Sequence, residues 1–330
     1  MNPITISLGI PVYNQAATIA ETVASALAQT EPFDEIVVVD NHSTDGTAER
    51  LQAYAGKIRI ISPPNHLGMA DNWNYCIESM NSKWFSLLSG DDLLKPGFVA
   101  GVKAAITAHS DAALIRTDWD VIDGLGNVSV VHHQLSVSCV TKPPKTWMEQ
   151  LYGPKVSFAA FATRKNLWKE VDRFPTDFHL FMDWMFWLKL APLGPFIRVP
   201  ESLAKYRVTE RPTIDIQRVS QRVADEHRYL LQVLPALPWV GRDNKRKVQK
   251  VRRHKLRQLL NYLAMYPTET TSEDTRVRLQ ELAETCEMEK TLRAWLVQSR
   301  TLRPSLSEQA LAAIKDFARR FAHLRAKIHQ

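Results

Sequence analysis

Cysteine is scarce in this chain. Only Cys76, Cys139 and Cys286 occur among 330 residues. They are far apart, odd in number and lack metal-ligand spacing. A disulfide framework and a thiolate metal site are therefore not expected, and a reducing, cytoplasmic setting is. Long apolar runs are missing too: none approaches the roughly 18 residues a spanning helix needs. The richest window, 178–190, is interrupted by Asp183 and Lys189. The opening Met1-Asn2-Pro3-Ile4-Thr5 has no basic stretch leading into an apolar one, so no signal peptide is expected. Neither G-x-G-x-x-G nor G-x-x-x-x-G-K-[ST] is present, which removes the dinucleotide fingerprint and the P-loop. No repeat or low-complexity segment stands out.

A hydrophobic share of 45% is ordinary for a globular protein, and the length suits one large domain or two. The net charge of +7 is unevenly spread: residues 1–230 carry a net −3, residues 231–330 a net +10. This asymmetry marks a boundary near residue 230 and gives the last third a surface or partner of its own.

Along the first half, short apolar runs alternate with helical periodicity. Strands are expected at 5–10, 35–39, 57–61, 84–88 and 112–116, and helices at 18–29, from 44 or 45 to 54, 69–80 and 97–109. Continuous apolar strands joined by helices predict a mostly parallel sheet covered on both faces. Residues 118–145 read as irregular antiparallel strand. They are followed by a short helix at 146–152, a strand at 156–163, a helical turn at 165–171, an aromatic-rich helix at 176–191, and strands at 196–199 and 203–208. From about residue 214 the chain reads as wholly helical, over 214–234, 243–265, 273–300 and 305–328.

The chemistry gathers where strands end. Trp84 to Leu88 reads as a buried strand that stops at Ser89-Gly90 and delivers Asp91 and Asp92. Carboxylates are costly to bury unpaired, so this pair implies a cation or an open cleft; a surface turn and a helix cap is the plainer alternative. In a parallel sheet, ligands lie beyond the carboxyl ends of strands. Tyr13-Asn14, Asp40 to Asp45 and Ser89 to Asp92 would converge there. Asp40 could equally be a turn or capping residue. Asp118-Trp119-Asp120 is a second D-x-D after a strand and a rival metal site. Asp183 lies among Phe181, Met182, Trp184 and Trp187, surroundings that would desolvate it and strengthen it as a base. His42, His66 and His179 read as polar or core residues.

These residues carry a pattern. Pro11-Val12-Tyr13-Asn14, then Val37 to Thr47, Asn65-His66-Leu67-Gly68, Asn72-Trp73-Asn74, Leu88 to Asp92, Asp183 to Leu190, Pro200 to Leu203 and Tyr206-Arg207 resemble glycosyltransferase family 2, inverting enzymes of GT-A fold. The resemblance covers roughly residues 3–210. It implies an α/β, Rossmann-like GT-A domain over 1–213, with a nucleotide-binding half to about 117 and an acceptor-side half from 118. A basic helical region over 214–330 would follow. Pro11, Val12, Tyr13, Asn14, Asp40, Asp45, Asn72 and Asp91 would bind the nucleotide sugar. Asp92, with Asp91, would hold a divalent cation, Mn²⁺ or Mg²⁺, and Asp183 would be the general base. Trp184, Tyr206 and Arg207 would contact phosphate or acceptor. The chain departs from the pattern at Gly90, where many members have another residue of the D-x-D. It departs again at Met182, where Glu is frequent, and at Thr209, where His is frequent.

The resemblance implies transfer from a nucleotide sugar, UDP-linked by default, to a glycan or lipid-linked acceptor in surface polysaccharide assembly. The competing expectation is a non-catalytic sugar-nucleotide or carbohydrate binder on the same fold. The basic stretches 243–257 and 311–328 have two readings. They could rest on an anionic membrane at the inner face, or pack by their apolar sides on the protein. Aromatic interleaving there is too sparse for nucleic acid to be expected.

Overall fold

Residues 3–132, 139–208, 216–237, 245–263, 273–288 and 291–292 are described by the computed structural model. They divide into two units, Met1–Pro212 and Thr213–Gln330. The expected stretch 305–328 lies outside the described residues.

In the first unit, an apolar run with both faces covered makes the central strand. β1 (Ile6–Val12) is buried throughout its length and lies parallel to β2 (Glu35–Asp40) and β4 (Trp84–Leu87). β3 (Arg59–Ile61) adds in parallel beyond β2. Pro11 does not end β1. It pairs with Val39 and Val12 pairs with Asp40, and the Asn41 amide donates to the Val12 carbonyl at 2.9 Å. A proline lacks only its own donor, so the register survives it. The helices α1 (Ile19–Leu27), α2 (Thr47–Gln52) and α3 (Met69–Glu78) make the crossovers. α3 packs so closely on β1 that a Cβ on Gly9 would meet Met80 Cε at 2.1 Å and Cys76 Sγ at 2.6 Å.

The remaining elements are β5 (Leu93–Leu94), α4 (Phe98–Ala108), β6 (Leu114–Ile122), β7 (Val128–His132), β8 (Cys139–Thr141), α5 (Lys145–Gln150), β9 (Phe161–Arg164), α6 (Lys165–Glu170), α7 (Met182–Leu190) and β10 (Phe196–Arg207). One sheet joins them in the order β3-β2-β1-β4-β9-β6-β10-β5, with β7 on β6 and β8 on β10. β9 is antiparallel to both β4 and β6, while β6 and β10 are parallel. The parallel set β3-β2-β1-β4 is thus joined through reversed β9 to the parallel pair β6-β10, on which β5, β7 and β8 add antiparallel.

Several expected boundaries move, among them the strand expected over 112–116, which runs on to Ile122 as β6. The strands at 196–199 and 203–208 are one strand, β10, whose register against β6 shifts between Val199 and Ser202 and again before Ala204. These irregularities absorb Pro200 and Glu201, as a bulge does. The helix expected from 176 begins at Met182; residues 176–181 turn instead and bury Phe178 and Phe181. The strand expected over 156–163 is confined to Phe161–Arg164.

In the second unit, α8 (Ile216–Arg228) runs into a π-helical turn, Tyr229–Val233, and α9 (Leu234–Ala236). α10 (Lys245–Leu263) and α11 (Glu273–Thr285) complete its described helices. α10 is cationic in sequence yet buries Val251, Leu256, Leu259, Leu260 and Leu263. Buried Lys255 pairs with buried Glu226 at 3.0 Å.

Candidate functional site

The loops after β1, β2 and β3 are stapled by side chains. Asn14 adopts the left-handed conformation, φ +53°. Its amide donates to Ser43 Oγ at 2.9 Å, and its Oδ1 accepts from the Thr44 amide at 2.8 Å. Asp45 ties the same two loops. One of its oxygens accepts from the Ala16 amide at 3.0 Å, the other from the Thr47 hydroxyl at 2.6 Å and the Thr47 amide at 3.0 Å. Those bonds, the Thr47 hydroxyl first, hold its carboxyl below the usual range. Asp40 is nearly buried and caps its own turn, accepting from the Ser43 amide at 3.1 Å. Asn41 exchanges two bonds with the backbone of Leu67, at 2.9 and 2.8 Å. Above this frame Tyr13 is exposed and lies against His66, ring centroids 4.6 Å apart. Asn72 is buried on α3 with no hydrogen-bond partner for its Oδ1.

Where β4 ends, Gly90 is pressed against β1: an added Cβ would meet Val12 Cγ2 at 2.9 Å and Gln15 Cγ at 3.3 Å. This close approach leaves no room for a side chain at that position. The two carboxylates that follow are not equivalent. Asp91 is half-buried, while Asp92 is 1% exposed and turned inward. One Asp92 oxygen accepts the Arg207 amide at 2.8 Å; the other is buried without a hydrogen-bond partner. Burial, and then the neighbouring Asp91 charge, push Asp92 well above the ordinary carboxylate range. Burial also raises Asp91.

Arg207, expected to meet a phosphate, does other work. Its Nε donates to the Asp91 carbonyl at 2.7 Å, its Nη1 to the Asp123 and Gly124 carbonyls at 3.2 Å each, and its Nη2 to Glu21 at 2.7 Å. Four of the five guanidinium N–H groups are thereby engaged, and the residue is 5% exposed. Arg207 is a clamp under the aspartate turn. For Arg207 a phosphate contact and pairing with a carboxylate are equally open from the sequence; the pairing is what is found, with Glu21. Tyr206 beside it is 41% exposed.

Asp183 stands in the first turn of α7, where its Oδ1 accepts from the Trp184 amide at 2.6 Å. That bond lowers its pKa, yet burial outweighs it and raises the carboxyl to about 6. Trp184 is packed inside. It is 1% exposed and its indole N–H donates to the Gln150 carbonyl at 2.6 Å, so its ring is core rather than a platform for a sugar.

The rival D-x-D is consumed by ion pairs. Asp118 is held by Arg198 through Nε at 2.8 Å and through Nη2. Asp120 accepts from Lys95 at 2.6 Å and from Ser202 at 2.7 Å. Among the described residues no group of three or more His, Cys, Asp or Glu could hold a metal. Half-buried Asp91 and the unpartnered oxygen of Asp92 could hold a cation whose remaining ligands would come from a diphosphate and water. Sequence reasoning missed Glu21, the Asn41 and His66 ties and the clamp role of Arg207, because each joins segments far apart in the chain.

The family model Glycosyl transferase family 2 matches residues 7–160, a span that includes the stapled loops and the aspartate turn. Over residues 7–160 the chain is similar to glycosyltransferase family 2. The family 2 segment reaches from β1 to the start of β9, and α7 with Asp183 and β10 with Arg207 lie beyond it. An uncharacterized glycosyltransferase of Haemophilus influenzae is 23% identical over 224 residues, 66% of this chain and 69% of that protein. One from Rickettsia conorii is 37% identical over 125 residues, 37% of this chain but only 20% of that much longer protein. Among solved structures, residues 1–349 of S. aureus TarS in complex with UDP-GlcNAc superpose with a TM-score of 0.56 at 14% identity, covering 88% of this chain and 92% of that one. At that identity the likeness establishes the architecture, a GT-A fold, and not the substrates.

Proposed function

We propose that the chain is an inverting glycosyltransferase that moves a sugar from a nucleotide-sugar donor to an acceptor hydroxyl. The observation that carries this is Asp183. A carboxyl with a pKa of about 6 is ionised at neutral pH yet basic enough to accept a proton. In this reading the exposed Tyr13 and the stapled loops receive the nucleoside, with Pro11, Val12, Asn14, Asp40 and Asp45 shaping that pocket and Asn72 beside it. Asp91 and the free oxygen of Asp92 would hold a divalent cation. When bound, Mn²⁺ or Mg²⁺ offsets the charge growing on the leaving diphosphate. Arg207 keeps the aspartate turn in place from below. Asp183 takes the proton of the attacking hydroxyl on the opposite face of the sugar, and one base there gives inversion.

TarS, which shares the fold, was crystallised with UDP-GlcNAc and with UDP, which supports a UDP-linked donor here. A glycan or lipid-linked acceptor in polysaccharide assembly, handled at the inner membrane face, completes the proposal. No described helix is long and apolar enough to cross a membrane. α10 buries its apolar side, so only its basic face, with Arg246, Lys250 and Arg257, is open to an anionic surface. The stretch 311–328 lies outside the described residues. A non-catalytic binder on the same fold is favoured by one observation: Trp184 and Arg207 are both withdrawn from the cleft.

The deciding experiment is turnover of a panel of nucleotide sugars with Mn²⁺, in wild type and Asp183→Asn. Nucleoside diphosphate release that the variant loses supports the transferase. Donor binding without turnover by the wild type, even with acceptor glycans present, supports the binder.

A further inference from the structure

The first unit holds an arginine that its own carboxylates do not satisfy. Arg116 on β6 and Arg198 on β10 are register partners on adjacent strands, so two guanidinium groups start from neighbouring positions on one face of the sheet. Like charges placed directly opposite are destabilising. Asp118, two residues on from Arg116, is held by Arg198 in a two-nitrogen grip. Among the described residues the side chain of half-buried Arg116 makes no hydrogen bond and no ion pair within 4 Å. Asp118 and Glu149 attract it from farther away, while burial first and Arg198 second push its pKa down. A charge removed from water without a close partner costs free energy, and such a group is retained most readily where a ligand supplies the partner.

The register says where this charge stands. Arg116 pairs with Phe161 on β9, so the two share a face. Phe161 packs on Trp187 of α7 with ring centroids 4.5 Å apart. Trp187 is one helical turn beyond Asp183. β9 also joins β4, Phe85 opposite Thr163, which puts Phe161 level with Leu87, the last residue before the aspartate turn. Arg116 is therefore level with the end of β4, on the α7 side of the sheet, and separated by β9, β4 and β1 from the β2 loop of the nucleotide pocket.

We infer that Arg116 receives a phosphate group carried by the acceptor. Guanidinium suits such oxyanions because its planar fork matches two of their oxygens. The inference rests on Asp183 marking the acceptor side, as in the proposed function. The phosphate could belong to a lipid carrier or to a phosphate-bearing glycan.

The test titrates inorganic phosphate into the full chain saturated with UDP and Mg²⁺, against chloride at equal ionic strength, and follows thermal stability. A ligand that binds only the folded form raises it. Wild type should respond to phosphate while keeping UDP. Arg116→Gln should weaken that response by about tenfold or more, leave UDP affinity unchanged and be at least as stable as wild type. Arg116→Lys should fall between. Geranyl diphosphate then separates the sources: binding much tighter than phosphate assigns a lipid-linked acceptor, and equal binding assigns a phosphate within the glycan. An unchanged response in Arg116→Gln, no response in wild type, displacement of UDP by phosphate, or an unfolded Arg116→Gln each overturns the inference. If UDP fails to bind wild type, the donor reading fails separately, and the phosphate titration of Arg116 proceeds without it.

Discussion

Asp183 sets function against stability within a single side chain. Its folded pKa, about 6, lies above the 3.8 of an unperturbed aspartate. The folded state therefore binds the proton more tightly. The stability linked to that proton is fully present below about pH 4 and is lost as pH rises through about 6, amounting to about 2–3 kcal/mol. Asp183→Asn, which cannot ionise, should raise the melting temperature at pH 7.5 and leave it nearly unchanged at pH 4. The same substitution should lower kcat by about 10²–10⁴-fold. The wild-type acid limb of kcat should fall away near pH 6. Differential scanning fluorimetry and a pH–rate profile measure the two halves of this opposition.

Arg207 belongs to the same scale with the opposite sign. Truncation to Met would strand the Asp91, Asp123 and Gly124 carbonyls and leave Glu21 without its cation. A loss of about 3–5 kcal/mol is expected, since breaking a buried charged network leaves groups unsatisfied. Urea unfolding reads it directly, and a tighter readout is weakened Mn²⁺ dependence of donor binding in Arg207→Lys. Lysine keeps the charge but cannot make the fork that fixes the turn.

At the scale of elements, the parallel strands were legible because their signal is local. Ile6–Val12, Glu35–Asp40 and Trp84–Leu87 are continuous apolar runs, and only a doubly covered strand accommodates them. α7 was misjudged at its start because Phe178 and Phe181 have helical spacing yet lie in a turn. The helix starts at Met182 without a side-chain cap, so no capping residue marked its start in the sequence. The aspartate turn was legible as a location but not as a division of labour. Which carboxylate faces inward depends on Arg207, 115 residues away. Gly90 belongs to this scale also: Gly90→Ala must displace Val12 or open the turn. A cost of about 1–3 kcal/mol is expected from such overpacking, together with weaker donor binding. Chemical denaturation and calorimetric titration of UDP report the two effects.

The whole molecule divides after Pro212. A chain ending there should fold and bind nucleotide, with circular dichroism and UDP titration as the measures, because the described ties around the aspartate turn and Asp183 are made within the first unit. The basic face of α10 predicts a separate behaviour for the second unit. Sedimentation of the full chain with phosphatidylserine vesicles should exceed that with neutral vesicles and decline as salt is raised. Replacement of Arg246, Lys250 and Arg257 by Gln should remove the difference. Equal sedimentation on both vesicle types would assign those charges to solvation alone. The charge asymmetry between the two parts of the chain was readable from composition; the packing of the helix that carries much of it was not.

The bond between Asp92 and the Arg207 amide also has a meaning in time. A ribosome releases the aspartate turn long before it releases β10, the strand that closes the sheet beside β6 and clamps that turn. Until residue 207 has emerged, the nascent chain can assemble β1 to β4 but cannot finish the corner that would face a diphosphate. Closing so distant a contact is slow, because loop entropy must be overcome before the contact rewards it. The aspartate corner is therefore completed near the end of the first unit's synthesis, and a product interrupted before β10 would hold the carboxylates without the geometry.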